Sequence, residues 1–186
     1  HLTHVRYLSG FSGSNGALLL HKDLEAQIAT DGRYLTQIAA EVPDIEALDA
    51  RAVGPDLLAT VTGPKRVGFE ADFVSVSQLQ RLEKAAGEDV TLVPISGVIE
   101  DIRLVKEPYE LERLREVAVI ANTAFQELID ENLIRAGRTE TEVAADLEYK
   151  MHLHGAERTS FETIVASGPN SAMPHHEPGA RVLEEG

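Results

Sequence analysis

The sequence has 186 residues, of which 43% are hydrophobic and 26% charged, a balance typical of a globular protein with a packed core. It contains no cysteine, which excludes disulfides, thiolate metal sites and cysteine nucleophiles, and its net charge of −14 disfavours nucleic acid and anionic membranes as partners. No apolar run approaches the roughly eighteen residues that span a bilayer, and no signal-peptide pattern opens the chain, so we expect a cytoplasmic protein.

Both ends of the sequence are abrupt. The chain begins at His1 rather than at a methionine and runs directly into Val5-Arg6-Tyr7-Leu8. This pattern is typical of a secondary-structure element that starts before the first residue. It finishes at the turn-like Glu185-Gly186. We therefore expect a chain that is truncated at both ends.

The first hundred residues alternate short apolar runs with helical patterns, which is typical of an α/β layer. Helices are predicted at 33–41, at 56–61 and from Val76 to about Gly87. Strands are predicted at 17–20, 27–30, 45–48, 66–69 and 90–93. These elements predict a sheet covered by helices.

The pattern changes around Gly97, where we place a domain boundary between residues 97 and 98. Pro108 suits the first turn of a helix, and Gly137 is expected to end that helix. Apolar residues at helical spacing trace one face of this helix. That face comprises Leu111, Leu114, Ala118, Ala121, Phe125, Leu128 and Ile129.

A second helix is predicted after Thr139, because Thr139 and Glu142 have the spacing of a capping box. Gly155 offers its C-terminal turn. Residues 161–166 then predict a strand, and a loop rich in proline and glycine follows it as far as Gly179.

Two glycine-containing segments could bind ligands or simply form turns. Ser9–Gly16 is glycine-rich, but no Lys-Ser or Lys-Thr follows its last glycine, so a turn is favoured over a phosphate-binding loop. Asp31-Gly32-Arg33 could present a binding arginine, yet Asp-Gly is a common turn dipeptide and a turn is again favoured.

Two histidine pairs are candidate metal ligands. His152 and His154 lie two apart on a predicted helix, so they point to different faces and are expected to be exposed rather than to share an ion. His175 and His176 are adjacent in a loop without a carboxylate at a zinc-peptidase spacing. Taken alone, this second pair is more typical of ordinary loop histidines than of a catalytic site.

The order of several segments changes that interpretation. Gly168–His175 is similar to the loop that carries the first active-site histidine of Xaa-Pro aminopeptidases and prolidases. Arg6–Gly16 and Thr30–Tyr34 resemble the accessory-domain signatures of the same family. Lys106–Arg115 looks like the start of its first catalytic-domain helix, and Ala136–Glu140 looks like the turn before the next helix.

This resemblance implies an α/β fold in two domains. Residues 1–97 would form a creatinase/prolidase-type N-terminal domain, a mixed sheet with flanking helices, and residues 98–186 the first part of a pita-bread α+β catalytic domain. The implied enzyme is a metal-dependent hydrolase that cleaves the Xaa-Pro bond in dipeptides or at the N terminus of peptides. A metal-independent, creatinase-like amidinohydrolase or a non-catalytic peptide- or protein-binding relative is the alternative.

The same resemblance implies where the chemistry lies. In this family two divalent ions, Mn, Co or Zn, are held by two aspartates, one histidine and two glutamates, all of which we expect beyond Gly186. His175 matches the histidine that binds substrate and assists catalysis without ligating metal, and we favour it over His176 as the residue that points inward. We expect no metal in this chain, no activity from it alone, a proline-containing peptide as substrate, and a homodimer for the full-length protein.

Overall fold

The computed structural model describes residues 1–23 and 25–185, which form two compact units, His1–Val105 and Lys106–Gly186. The elements of the first unit, in chain order, are α1 (Leu2–Ser9), β1 (Ala17–Leu20), β2 (Ala26–Thr30), α2 (Leu35–Glu41), β3 (Glu46–Asp49), α3 (Val53–Leu58), β4 (Lys65–Glu70), α4 (Val76–Ala85), β5 (Val90–Ile95) and α5 (Val98–Leu104). The first unit thus includes α5, which lies beyond Gly97. A domain boundary at Gly97 itself stays a prediction.

The strands of the first unit form two sheets. β2 lies at the centre of a mixed three-stranded sheet, with β1 antiparallel to it and β3 parallel to it. β4 and β5 pair in parallel as a second sheet. The α/β class and the mixed sheet are confirmed, while the expected sheet is divided in two.

Helices cover both faces of β2, because successive strand residues point to opposite sides of a sheet. Ile28, which is fully buried, packs in a cluster with Val5 of α1 and Ile38 of α2. Its neighbour Ala29, equally buried, packs on the other face with Leu57 of α3. This alternation fixes the register of β2, since a shift by one residue would exchange the two clusters.

The glycines of the Ser9–Gly16 stretch make room for an aromatic ring. Phe11 is only 1% exposed and belongs to the cluster around Ile28. A Cβ atom on Gly16 would lie 3.0 Å from Cε1 of Phe11, and one on Gly13 would overlap the ring outright. Because a buried ring cannot move aside, these glycines serve packing, in agreement with the predicted turn.

The second unit contains α6 (Pro108–Asp130), α7 (Glu140–Leu153) and a 3₁₀ helix (Gly168–Ala172). Both α-helices begin as the sequence predicts. Pro108 opens α6, and Thr139 forms a capping box with Glu142 at the start of α7. Lys150 of α7 is buried, and its Nζ donates to Glu127 and Glu131 of α6 at 3.2 Å and 2.7 Å, so the pair of helices is joined by ionic hydrogen bonds.

Two expectations for this unit are wrong. Residues 161–166 do not form a strand; an extended segment becomes a strand only when a neighbour pairs with it, and no such ladder occurs for them in the described part of the chain. The sequence also places the end of α6 at Gly137, whereas the helix ends at Asp130. Of the apolar residues that the sequence assigns to one face of α6, only Leu128 is buried, while Leu114 is 52% exposed. Apolar spacing sets which side chains share a face, but burial requires an element packed against it.

The packing of Phe11 leads to a stability prediction. Phe11→Ala should lower the free energy of unfolding by about 3–5 kcal/mol, because it removes a fully buried ring and leaves a cavity between α1, α2 and β2. Chemical denaturation followed by circular dichroism measures this loss. Phe161→Ala is the matched control: its ring is 72% exposed, so the change should stay below about 1 kcal/mol. Equal losses for the two variants would contradict the packing described here.

Candidate functional site

The candidate site lies in the loop that contains the second histidine pair. We call residues 167–179 the histidine loop; it includes the 3₁₀ helix and runs past the N-terminal end of α7. A backbone bridge between Thr139 and Val182 pairs the chain just beyond the loop with the start of α7. The amide of Thr141 also donates to the carbonyl of Gly179 at 3.2 Å. The end of the loop is therefore anchored to α7 by its backbone.

A single carboxylate at the start of α7 holds the loop. Glu140 is the first residue of the helix and its side chain is completely buried. Oε1 accepts hydrogen bonds from the amide of Ser167 at 2.7 Å, from its hydroxyl at 2.9 Å and from Nδ2 of Asn170 at 3.0 Å. Oε2 lies 2.7 Å from Nε2 of His176 and accepts from the amide of Gly179 at 3.2 Å.

These contacts explain how a charged group can be buried here. A carboxylate has about four lone-pair positions, and the donors of the histidine loop fill them. Burial raises the pKa of the Glu140 carboxyl, but the hydrogen bonds from His176, Asn170, Ser167 and Gly179 outweigh burial and hold this pKa well below its ordinary value of 4.5. Glu140 is thus an ionised acceptor at neutral pH.

The structure separates the two adjacent histidines. His176 is turned toward Glu140, and its side chain is only 13% exposed. His175 precedes it in the turn after Met173 and is exposed to solvent. Contrary to the expectation from the sequence, the ring that points inward is that of His176, because it bonds to the buried Glu140. His175 is the one that a ligand in solution can reach. The catalytic and substrate-binding role of His175 stays a prediction.

The first histidine pair is exposed, as predicted. Nε2 of His154 lies 2.8 Å from Oε1 of Glu127, and Nδ1 of His152 lies 2.8 Å from the carbonyl oxygen of Ala156. The two rings have different partners and do not converge. Across residues 1–23 and 25–185, no three His, Asp or Glu side chains are grouped so that they could hold a metal ion.

The turn at Asp31 does not present a free arginine. Nε and Nη2 of Arg33 donate to the two carboxylate oxygens of Asp31 at 2.7 Å and 2.8 Å, and Nδ2 of Asn15 donates to the same carboxylate at 2.6 Å. Arg33 also lies over the ring of Tyr34, with its Cζ 5.2 Å from the ring centroid. The turn predicted from the sequence is therefore present, and the ion pair between Arg33 and Asp31 stabilises it.

Glu140 is the site residue that sequence reasoning missed. The capping box of Thr139 and Glu142 predicts the start of α7, and acidic residues are common in a first helical turn because the helix dipole favours them there. That pattern predicts an exposed carboxylate. Glu140 is buried because the loop from Ser167 to Gly179 packs over it. The path of that loop cannot be inferred from the pattern of residues in α7.

Comparison with known proteins confirms the family resemblance. Residues 1–105 match the Creatinase/Prolidase N-terminal domain, and residues 112–186 match Metallopeptidase family M24. The solved structure of an Xaa-Pro dipeptidase from Bacillus anthracis is 34% identical, with a TM-score of 0.89 over 99% of this chain and 51% of its own. The Creatinase/Prolidase-like N-terminal domain of a Corynebacterium diphtheriae protein is 64% identical, with a TM-score of 0.52 over 53% of this chain and 79% of its own.

Curated sequences agree with these structures. The uncharacterized peptidase YqhT of Bacillus subtilis is 34% identical over 190 aligned residues, which cover 99% of this chain and 52% of that protein. The chain spans about half the length of the curated relatives that it matches throughout. A family model matches more than half of the chain, and the M24 match covers the helices and loop around Glu140. The chain belongs to the creatinase/prolidase family, with a Creatinase/Prolidase N-terminal domain followed by a segment of Metallopeptidase family M24.

Proposed function

We propose that the full-length protein containing this chain is a metal-dependent peptidase that hydrolyses the Xaa-Pro bond in dipeptides or at the N terminus of peptides. The observation that supports this most directly is the similarity to the Bacillus anthracis Xaa-Pro dipeptidase, which extends over 99% of the chain at a TM-score of 0.89. Fold alone does not fix function, but this match includes the loop with the candidate histidine. No observation favours the alternative hypotheses, a creatinase-like amidinohydrolase or a non-catalytic binding protein.

In this proposal His175 contacts the substrate. A neutral imidazole donates a hydrogen bond from one ring nitrogen and accepts one at the other, so it can bind a peptide carbonyl or carry a proton to or from the reacting groups. His175 is exposed, whereas His176 is committed to Glu140, and this division supports His175 as the residue that acts. His176 then contributes to holding the loop.

The metal of this proposal is held outside the described chain. M24 is a metallopeptidase family, and we propose that the full-length protein binds two divalent ions, Mn, Co or Zn. The residues described here do not fit such a site: they include no group of three potential ligands, and the oxygens of Glu140 are occupied by donors of the histidine loop. We therefore propose that the chain by itself is inactive.

Partners and location complete the proposal. The substrate is a proline-containing peptide or dipeptide, and the full-length protein is a homodimer in the cytoplasm. The net charge of −14 supports neither nucleic acid nor an anionic membrane as a partner. Among the described helices, none is both long enough and apolar enough to cross a bilayer.

The role of His175 can be measured in the full-length protein. His175→Ala should lower turnover on an Xaa-Pro dipeptide by about 10²- to 10⁴-fold, the usual contribution of a proton-transfer or positioning group. Bound metal, measured by elemental analysis, should stay unchanged because His175 is not a ligand. His152→Ala removes an exposed imidazole from α7 and should leave turnover intact. If both variants lose the same small factor, His175 has no catalytic role.

Titration of the chain with metal ions tests the location of the ligands. Calorimetric titration with Mn²⁺, Co²⁺ or Zn²⁺ should show no tight two-ion site, because the described residues do not group suitable ligands. The full-length protein, stripped of metal by a chelator and titrated in the same buffer, is the positive control. A two-ion site of micromolar or better affinity in the chain would contradict the proposal.

A further inference from the structure

Among residues 1–23 and 25–185, Glu140 is the one carboxylate that is fully buried. A buried charge is costly unless it is paired and hydrogen-bonded, and Glu140 meets this condition entirely with one segment. The groups that donate hydrogen bonds to its side chain all belong to the histidine loop, at Ser167, Asn170, His176 and Gly179. The carboxylate is thus dedicated to that loop.

The partners flank His175 on both sides along the chain. Ser167 and Asn170 precede it: Ser167 bonds to Oε1, and Nδ2 of Asn170 lies within hydrogen-bond distance of both oxygens. His176 and Gly179 follow it and bond to Oε2. One rigid, planar group at the start of a helix therefore fixes the segment before His175 and the segment after it at the same time. The exposed imidazole lies between two anchored stretches of backbone.

We propose that Glu140 is a positioning residue, which fixes the histidine loop so that His175 is presented to the substrate. This inference rests on the proposed function for its catalytic consequence. Its structural part, that the Glu140 carboxylate holds the loop, stands on the hydrogen bonds alone. Glu140 itself is fully buried, so the proposed role is one of positioning and not of direct contact with the substrate.

A different role for the same carboxylate would be to stabilise the start of α7 through the helix dipole. Glu142 provides the comparison, because it lies in the same first turn and is also hydrogen-bonded, but its partner is Thr139 of the cap rather than the loop. Glu142→Gln is therefore the matched control. It removes a first-turn charge and leaves the donors of the loop untouched.

The decisive variant is Glu140→Gln, which preserves shape but replaces one acceptor oxygen with an amide NH₂. That NH₂ would face donors on the loop, so at least one buried amide or side-chain donor loses its acceptor. Hydrogen exchange of the Ser167 and Gly179 amides, followed by NMR in this chain, should accelerate by about tenfold or more. Glu142→Gln should leave both rates within about twofold of the parent chain.

A second measurement connects the loop to the reaction. In the full-length protein, Glu140→Gln should lower kcat more than it raises KM, with bound metal unchanged, and should add little to the loss already caused by His175→Ala. A merely structural role predicts a lower Tm and kinetic losses that multiply with those of His175→Ala. Such multiplicative losses would overturn the positioning role.

A failure of the role proposed for His175 can be distinguished from a failure of the role proposed for Glu140. If His175→Ala leaves turnover intact, the proposed function of His175 fails, while the exchange rates still decide whether Glu140 holds the loop. Unchanged exchange at Ser167 and Gly179 in Glu140→Gln would overturn the inference itself. Should Glu140→Gln fail to fold, Asn170→Ala and His176→Ala each remove a single donor, and accelerated exchange at Ser167 or Gly179 in them supports the inference while unchanged rates overturn it.

Discussion

The candidate site depends on one constraint: a carboxylate placed inside a protein must find enough hydrogen-bond donors to replace water. Glu140 finds them in main-chain amides and polar side chains of a loop that follows α7 in the sequence. The constraint acts in both directions, because the donors satisfy the charge and the charge orders the loop. A loop of this kind is otherwise among the least ordered parts of a protein.

The first unit satisfies a different constraint. Its central strand buries both faces, so apolar residues are needed at successive positions of β2 rather than at alternate ones. Phe11 completes one face, and it does so from a glycine-rich stretch whose small residues leave space for the ring. The same glycines that suggest a ligand-binding loop in the sequence are therefore explained by packing.

Much of the fold follows from local pattern. The starts of α6 and α7 are encoded by Pro108 and by the capping box of Thr139, which act within a few residues of each N-terminal helix end. The segment 161–166 has the composition of a strand but lacks a paired neighbour, and pairing is a property of distant residues. Local pattern therefore predicts where elements begin more reliably than what packs against them.

The same contrast between local pattern and contacts with distant residues applies to the candidate site. His175 is found through a resemblance that spans the loop around it, and nothing in its own spacing distinguishes it from His176. The structure supplies the distinction, because one ring bonds to a buried carboxylate and the other is exposed. Glu140 cannot be identified from its helix, since an acidic residue in a first turn is ordinary. Its role depends on a contact across some thirty residues of sequence.

Holding the loop and holding the metal are separable tasks. The hydrogen bonds that the Glu140 carboxylate accepts from the histidine loop come from residues between Ser167 and Gly179, and none of them requires an ion. The position of His175 can therefore be set by folding of the second unit, before any metal binds. Under the role proposed for His175, a group that is positioned independently of the metal keeps its geometry when the ions exchange. In the positioning role proposed for Glu140, preorganisation of this kind depends on its buried charge, because the carboxylate bonds to the segment before His175 and to the segment after it.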